Sequence, residues 1–150
     1  MVTVSDQIVR AVHDAIYYAM VTRGTPPTAA DLARECRVSP LMAKEALRVL
    51  ADQRLIILKP GTSDLWAAPP FSVSATRFLV RSGQRTWFGA CAWDAFGVAA
   101  AVHKDATIEA ECGASGEPMS CGVRGGRAWG SGVVHLLVPA KKFWDDIVFT

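Results

Sequence analysis

A chain of 150 residues with 51% hydrophobic and 20% charged side chains has the length of one ordinary domain or two small ones, and its core needs no disulfide staples. The longest apolar runs, FGVAAAV, LIIL and VVHLLV, fall well short of the roughly 18 residues a bilayer span needs, and the start MVTVSDQIVR has neither the basic nor the apolar region of a secretory leader. A net charge of +2 from 16 basic and 14 acidic residues excludes nucleic-acid binding by bulk electrostatics alone. The expected compartment is the cytoplasm, with no membrane partner. There the four cysteines, Cys36, Cys91, Cys112 and Cys121, stay reduced. None of them forms a CxxC pair, so zinc-ribbon and thioredoxin chemistries are not indicated.

Residues 1–66 read as three helices and a hairpin. Ile8, Val12, Ala15, Ile16, Ala19 and Met20 recur at helical spacing after a Ser5 N-cap, and Gly24 with Pro26 and Pro27 ends that helix. Thr28 and Asp31 in TAAD stand as an N-cap and its N3 partner, opening a short helix with Leu32, Ala33 and Cys36 inward. Ser39 and Pro40 open a third helix through Ala43, Ala46, Leu47 and Leu50. LIILKPGTSDLWA then folds back around Pro60 and Gly61 as a two-stranded wing. This is the pattern of a winged helix-turn-helix. Its charge is nearly balanced, with eight basic and seven acidic side chains, and PLMAKEALRVL offers a DNA groove one lysine and one arginine. A DNA partner is therefore weakly supported, and the module reads more readily as a packing or dimerisation unit.

AAPPFSVSA, residues 67–75, reads as a stiff Pro-rich connector. Residues 76–150 change character. TRFLVRS and RTWFGA are expected as strands joined at Gly83-Gln84, and CAWDAFGVAAAVH as a short helix. ATIEAEC and MSCGVRG are strands around the ASGEP turn, GVVHLLV is a further strand and PAKKFWDDI a terminal helix. The expected fold class is α+β, a winged helix-turn-helix followed by a mostly antiparallel sheet with short helices.

Cys91 and Asp94 stand three apart in GACAWDAFGV, among glycine and apolar residues. If the helix begins near Cys91, the free backbone N–H groups of its first turn favour a thiolate, which is a nucleophile or a soft-metal ligand. Asp94 projects from the same face, within reach of whatever the sulfur holds. Trp87, Phe88, Trp93 and Phe96 surround the pair with apolar surface, which raises a carboxyl pKa and favours the protonated acid. A soft anion beside a proton donor suits a reaction in which sulfur takes an electrophilic metal or carbon and the acid protonates the leaving group. The alternative is a core thiol and a capping aspartate. His103 and His135 lack partners at ligand spacing. Gly125-Gly126 reads as a turn and Asp145-Asp146 as a solvated pair.

The stretch WFGACAWDAFGVAAAVHKDATIEAECGASGEPMSCGV resembles the core of the organomercurial (alkylmercury) lyases, and the winged helix and AAPPFS connector are similar to that family's layout. The resemblance implies protonolytic cleavage of carbon–mercury bonds, giving Hg(II) and a hydrocarbon. It implies that Cys91 binds mercury, that Asp94 protonates the departing carbon and that Cys112 is mainly structural. External thiols would accept the metal, with no cofactor. It also implies a second mercury-binding cysteine just after the segment that FWDDIVFT resembles. The sequence ends at Thr150 before that position, so a shortened core is expected, with Cys121 the further candidate metal ligand. The alternative function is a non-catalytic mercury- or copper-binding, regulatory relative.

Overall fold

A computed structural model describes residues 4–147. Helix α1 (Asp6–Arg23) ends at Gly24, whose N–H returns to the Met20 carbonyl at 3.0 Å. Helix α2 (Ala29–Glu35) opens with the expected reciprocal box: the Asp31 N–H donates to Thr28 Oγ1 at 3.1 Å and the Thr28 N–H to Asp31 Oδ2 at 3.0 Å. The Thr28 hydroxyl and amide, with Arg34, hold the Asp31 carboxyl down at about 2. Helix α3 (Pro40–Asp52) has Pro40 in its first turn and Ser39 accepting the Met42 N–H at 3.2 Å. Val12, Ile16, Leu32, Leu47 and Leu50 are buried where these helices meet. Outside, Arg34 lies on Asp31, Arg48 on Glu45 and Arg23 near Glu35, so three arginines of the module face acids.

The wing strands β1 (Ile57–Leu58) and β2 (Leu65–Ala68) pair as a hairpin, and the sheet continues from there. Strand β3 (Phe71–Ser72) pairs with β2 on one side and with β5 (Arg85–Gly89) on the other. β4 (Leu79–Ser82), β6 (Ala106–Glu111), β7 (Pro118–Arg124) and β8 (Arg127–Trp129) extend it in the order β1-β2-β3-β5-β4-β6-β7-β8, every pair antiparallel. Residues 67–68 and 71–72 of the Pro-rich stretch pair within this sheet. Ala67 and Ala68 complete β2, the Pro69-Pro70 peptide is cis, and Phe71 is fully buried. The apolar content of the stretch is what pulls it into the sheet.

Helix α4 (Ala92–Ala101) covers one face of the sheet. Trp87, Val80, Ile108 and Cys121 stand opposite one another on β5, β4, β6 and β7, and the first three are buried in one core with Ala95 and Val98 of α4. Alternation turns Phe88 to the opposite face, where the Arg81–Glu109 pair, 2.8 Å apart, meets solvent. Phe71 lies where the helical module, sheet and α4 converge. Phe71→Ala is expected to destabilise the chain by about 3–5 kcal/mol, read from urea unfolding; a change below about 1 kcal/mol would contradict the convergence of the core on this ring.

Two expected elements do not form. Residues 132–138 are not a strand: Gly130 (φ 114°) and Gly132 (φ 130°) turn the chain off β8, and Val133 and Leu137 are 91% and 71% exposed. Alternating apolar residues specify a strand only where a neighbour offers its N–H and C=O groups, and among the described residues no strand pairs with this one. The terminal helix is reduced to a single 3-10 turn, Ala140–Lys142, after which Trp144 lies under the Arg54 guanidinium at 5.8 Å. His135 is exposed and outside any strand. Residues 148–150, the end of FWDDIVFT, lie outside the described residues.

Candidate active site

Strand β5 turns directly into α4, and the turn is fixed by close backbone approach. A Cβ at Gly89 would stand 2.6 Å from the Ala95 nitrogen, so only glycine fits there. Thr76 ties down the end of the strand, its hydroxyl donating to the Gly89 carbonyl at 2.6 Å. Two residues on, Cys91 is the N-cap of α4, and its sulfur accepts the Asp94 N–H at 3.5 Å. The expectation that the thiol opens the helix therefore holds in detail. The Asp94 carboxyl and the thiol also influence each other electrostatically.

Their ionisation differs in part from expectation. Burial pushes the Cys91 thiol above its ordinary value; the Asp94 and Trp93 amides pull it down, but the Asp94 charge adds to the rise. The helix N-terminus alone would favour a thiolate, and here desolvation outweighs it. Burial also raises the Asp94 carboxyl, against a lowering by the neighbouring Cys91 thiol. Burial thus opposes ionisation of both groups.

The apolar surroundings are also not those the sequence suggested. Trp87 is buried with its indole N–H on the Met20 carbonyl at 2.7 Å, Phe88 faces the other side of the sheet, and Trp93 is 69% exposed. The side chain that sequence reasoning missed is Tyr17 of α1. Burial and then the Asp94 charge raise its phenol, and the hydroxyl donates to the Pro69 carbonyl at 2.9 Å.

Cys112 and Cys121 lie elsewhere on the sheet. Cys112 follows β6; the Ser115 hydroxyl and the Ser115 and Ala114 amides lower its thiol. Cys121 faces Ile108 across β6 and β7, against Gly130, and burial raises it. Among the described residues no group of three or more His, Cys, Asp or Glu side chains is placed to hold a metal ion. His103 ends α4 with its N–H on the Ala100 carbonyl at 3.1 Å, and Gly125-Gly126 forms the β7–β8 turn.

A family model for alkylmercury lyase (MerB) matches residues 71–150, just over half of the chain. The chain belongs to the alkylmercury lyase family. Among solved structures it resembles the mercury-bound form of MerB2, with a TM-score of 0.67 and 21% identity over 85% of this chain and 60% of that one. At that identity the likeness is one of fold, and the chain spans three-fifths of that protein's length. No curated protein matches the chain. The alkylmercury lyase match begins at β3 and contains Cys91, Asp94, Cys112 and Cys121. No helix among the described residues is long and apolar enough to cross a membrane.

The thiol environments set an order of reactivity. With iodoacetamide at neutral pH, Cys112, whose thiol is lowered where that of Cys91 is raised, is expected to be alkylated before Cys91, and Asp94→Asn is expected to speed alkylation of Cys91 by removing the neighbouring charge. Peptide mass spectrometry over a time course measures both. Cys91 reacting first in the unmodified chain would contradict the burial assigned to it.

Proposed function

We propose that this family member cleaves the carbon–mercury bond of alkyl- and arylmercury compounds by protonolysis, with Cys91 as the mercury-binding sulfur and Asp94 as the acid. The observation that carries this reading is that the thiol and the carboxyl stand half-buried in the first turn of α4, with the Cys91 sulfur accepting the Asp94 N–H at 3.5 Å. A soft sulfur selects a soft metal, and a carboxyl with a raised pKa can hold a proton until carbon accepts it.

The steps balance with one proton passing through the pair. The Cys91 sulfur bonds to mercury in R–Hg–X, X departs with its electron pair, and the thiol proton passes to the Asp94 carboxylate. Asp94 then gives that proton to carbon. The electron pair of the C–Hg bond becomes the C–H bond, R–H leaves, and Hg(II) remains on sulfur beside the carboxylate. Two external thiolates carry Hg(II) away as a bis-thiolate, and Cys91 takes a proton back. No bound cofactor enters these steps. The substrate partner is a small organomercurial, and a cytoplasmic supply of low-molecular-weight thiols meets the last requirement.

The test is phenylmercuric acetate with the intact chain in excess thiol, assayed for benzene. Steady benzene release supports the lyase. Stoichiometric mercury or copper uptake without benzene would instead identify a metal-binding relative, and a salt-dependent shift of promoter DNA would add a regulatory role.

A further inference from the structure

The face of the sheet turned away from α4 carries side chains that the proposed reaction does not use. Arg81 of β4 stands in register with Thr107 of β6, Thr107 with Gly122 of β7, and Gly122 with Trp129 of β8, so all four share one face. Gly122 adds no side chain to this row, and a Cβ there would run into the Ala106 carbonyl. Arg124, two residues along β7, stands on the same face, its guanidinium 5.5 Å from the centre of the Trp129 ring. Between these side chains lies a groove of about 210 Å³, whose walls include Arg81, Gly83, Asp105, Thr107, Arg124 and Trp129.

Around the groove stand three arginines, Arg81, Arg124 and Arg127, and two acids that are both engaged. Glu109 takes Nε and Nη2 of Arg81 at 2.8 and 3.5 Å, which leaves Nη1 uncommitted. Asp105 Oδ1 accepts the Gly125 N–H at 2.8 Å and so ties the β7–β8 turn to the start of β6. Arg124 is directly opposite Arg127 across β7 and β8, and among the described residues neither has an acidic partner. Like charges placed opposite one another destabilise a strand pair. An anion in the groove relieves that repulsion.

We propose that this groove binds a phosphate group, as inorganic phosphate or as the end of a small phosphate monoester, held by Arg81, Thr107 and Arg124. Guanidinium forks match phosphate oxygens. The three donors reach the groove from three different strands, an arrangement that suits a tetrahedral anion better than a flat carboxylate, which one fork satisfies. The volume equals the share of about seven waters in the liquid, room for one phosphate with part of its hydration. Trp129 supplies an aromatic wall. The groove is distinct from the Cys91 site: Gly89, two residues before the cysteine, donates its N–H to the Phe78 carbonyl ahead of β4, whereas Gly83 lies past the other end of that strand. Phosphate binding here does not depend on the lyase reading.

The experiment is a proton–nitrogen NMR titration of the full chain with sodium phosphate at neutral pH and constant ionic strength, followed at the Thr107 and Arg124 amides and the Trp129 indole N–H. These signals are expected to shift to saturation with one shared midpoint, and sodium chloride alone is expected to leave them in place. Arg124→Gln and Arg81→Gln are each expected to weaken binding about tenfold, the scale of one lost charge-assisted hydrogen bond. Phenyl phosphate is the second probe. Tighter binding than phosphate assigns the monoester, with its ring on Trp129; equal or weaker binding assigns free phosphate. Shifts that never saturate, or a midpoint unchanged in both variants, overturn the proposal, and if one variant does not fold the other decides it.

Discussion

Cys91→Ser is expected to abolish retention of phenylmercury at the site and to bring benzene release down to background, a loss on the order of 10³-fold or more, the scale on which removal of a covalent nucleophile is felt. Serine keeps the N-cap, because its hydroxyl accepts the Asp94 N–H as well as sulfur does. The fold therefore survives, and the loss reports on the metal–sulfur bond alone. Mass spectrometry of the phenylmercury adduct, before and after the substitution, measures it. Cys36, Cys112 and Cys121 remain in the variant, so an adduct that persists on one of them without benzene separates adventitious thiol binding from the site. Undiminished benzene release from Cys91→Ser would assign the chemistry to another thiol.

Asp94→Asn separates binding from proton transfer. The amide fills the same space but has no acidic proton to give, so mercury uptake is expected to persist while benzene release falls by about 10²–10⁴-fold, the usual worth of a positioned general acid. The same substitution is expected to raise stability at neutral pH. Asp94 has a folded-state pKa raised by burial, so its contribution is favourable below the ordinary carboxylate range and is lost as pH rises through the folded value. The Tm advantage of Asp94→Asn should therefore widen with rising pH over that window. An acid whose removal stabilises the fold and stops the reaction is a group kept at a cost. A variant that is destabilised at neutral pH and fully active would place the carboxylate in a structural role.

What could be read from the sequence was written locally. Thr28 with Asp31, Ser39 with Pro40, and Gly83 between β4 and β5 each signal structure within four residues, and each forms as expected. Cys91 was legible for the same reason: an apolar helix with a thiol at its start needs no distant partner to be recognised. Strands β3 and β8, of two and three residues, were not legible, because such short segments become strands only by having neighbours. The same dependence works in reverse at residues 132–138, where VVHLLV carries strand propensity but meets no edge. Tyr17 was hidden for a different reason. It is 52 residues from Pro69 and has no spacing motif with it, so only the tertiary fold brings the phenol to the Pro69-Pro70 turn. The ionisation of Cys91 was misjudged because helix position can be seen in a sequence and depth of burial cannot.

Single turnover tests the central pairing most directly. Phenylmercuric acetate is mixed with excess intact chain, and headspace gas chromatography counts the benzene formed per mercury bound. The account predicts equimolar benzene from the wild type, and full mercury uptake with benzene only at solvent background from Asp94→Asn. Mercury held on Cys91 of the wild type with no benzene formed, or benzene released equally fast by both proteins, would contradict it.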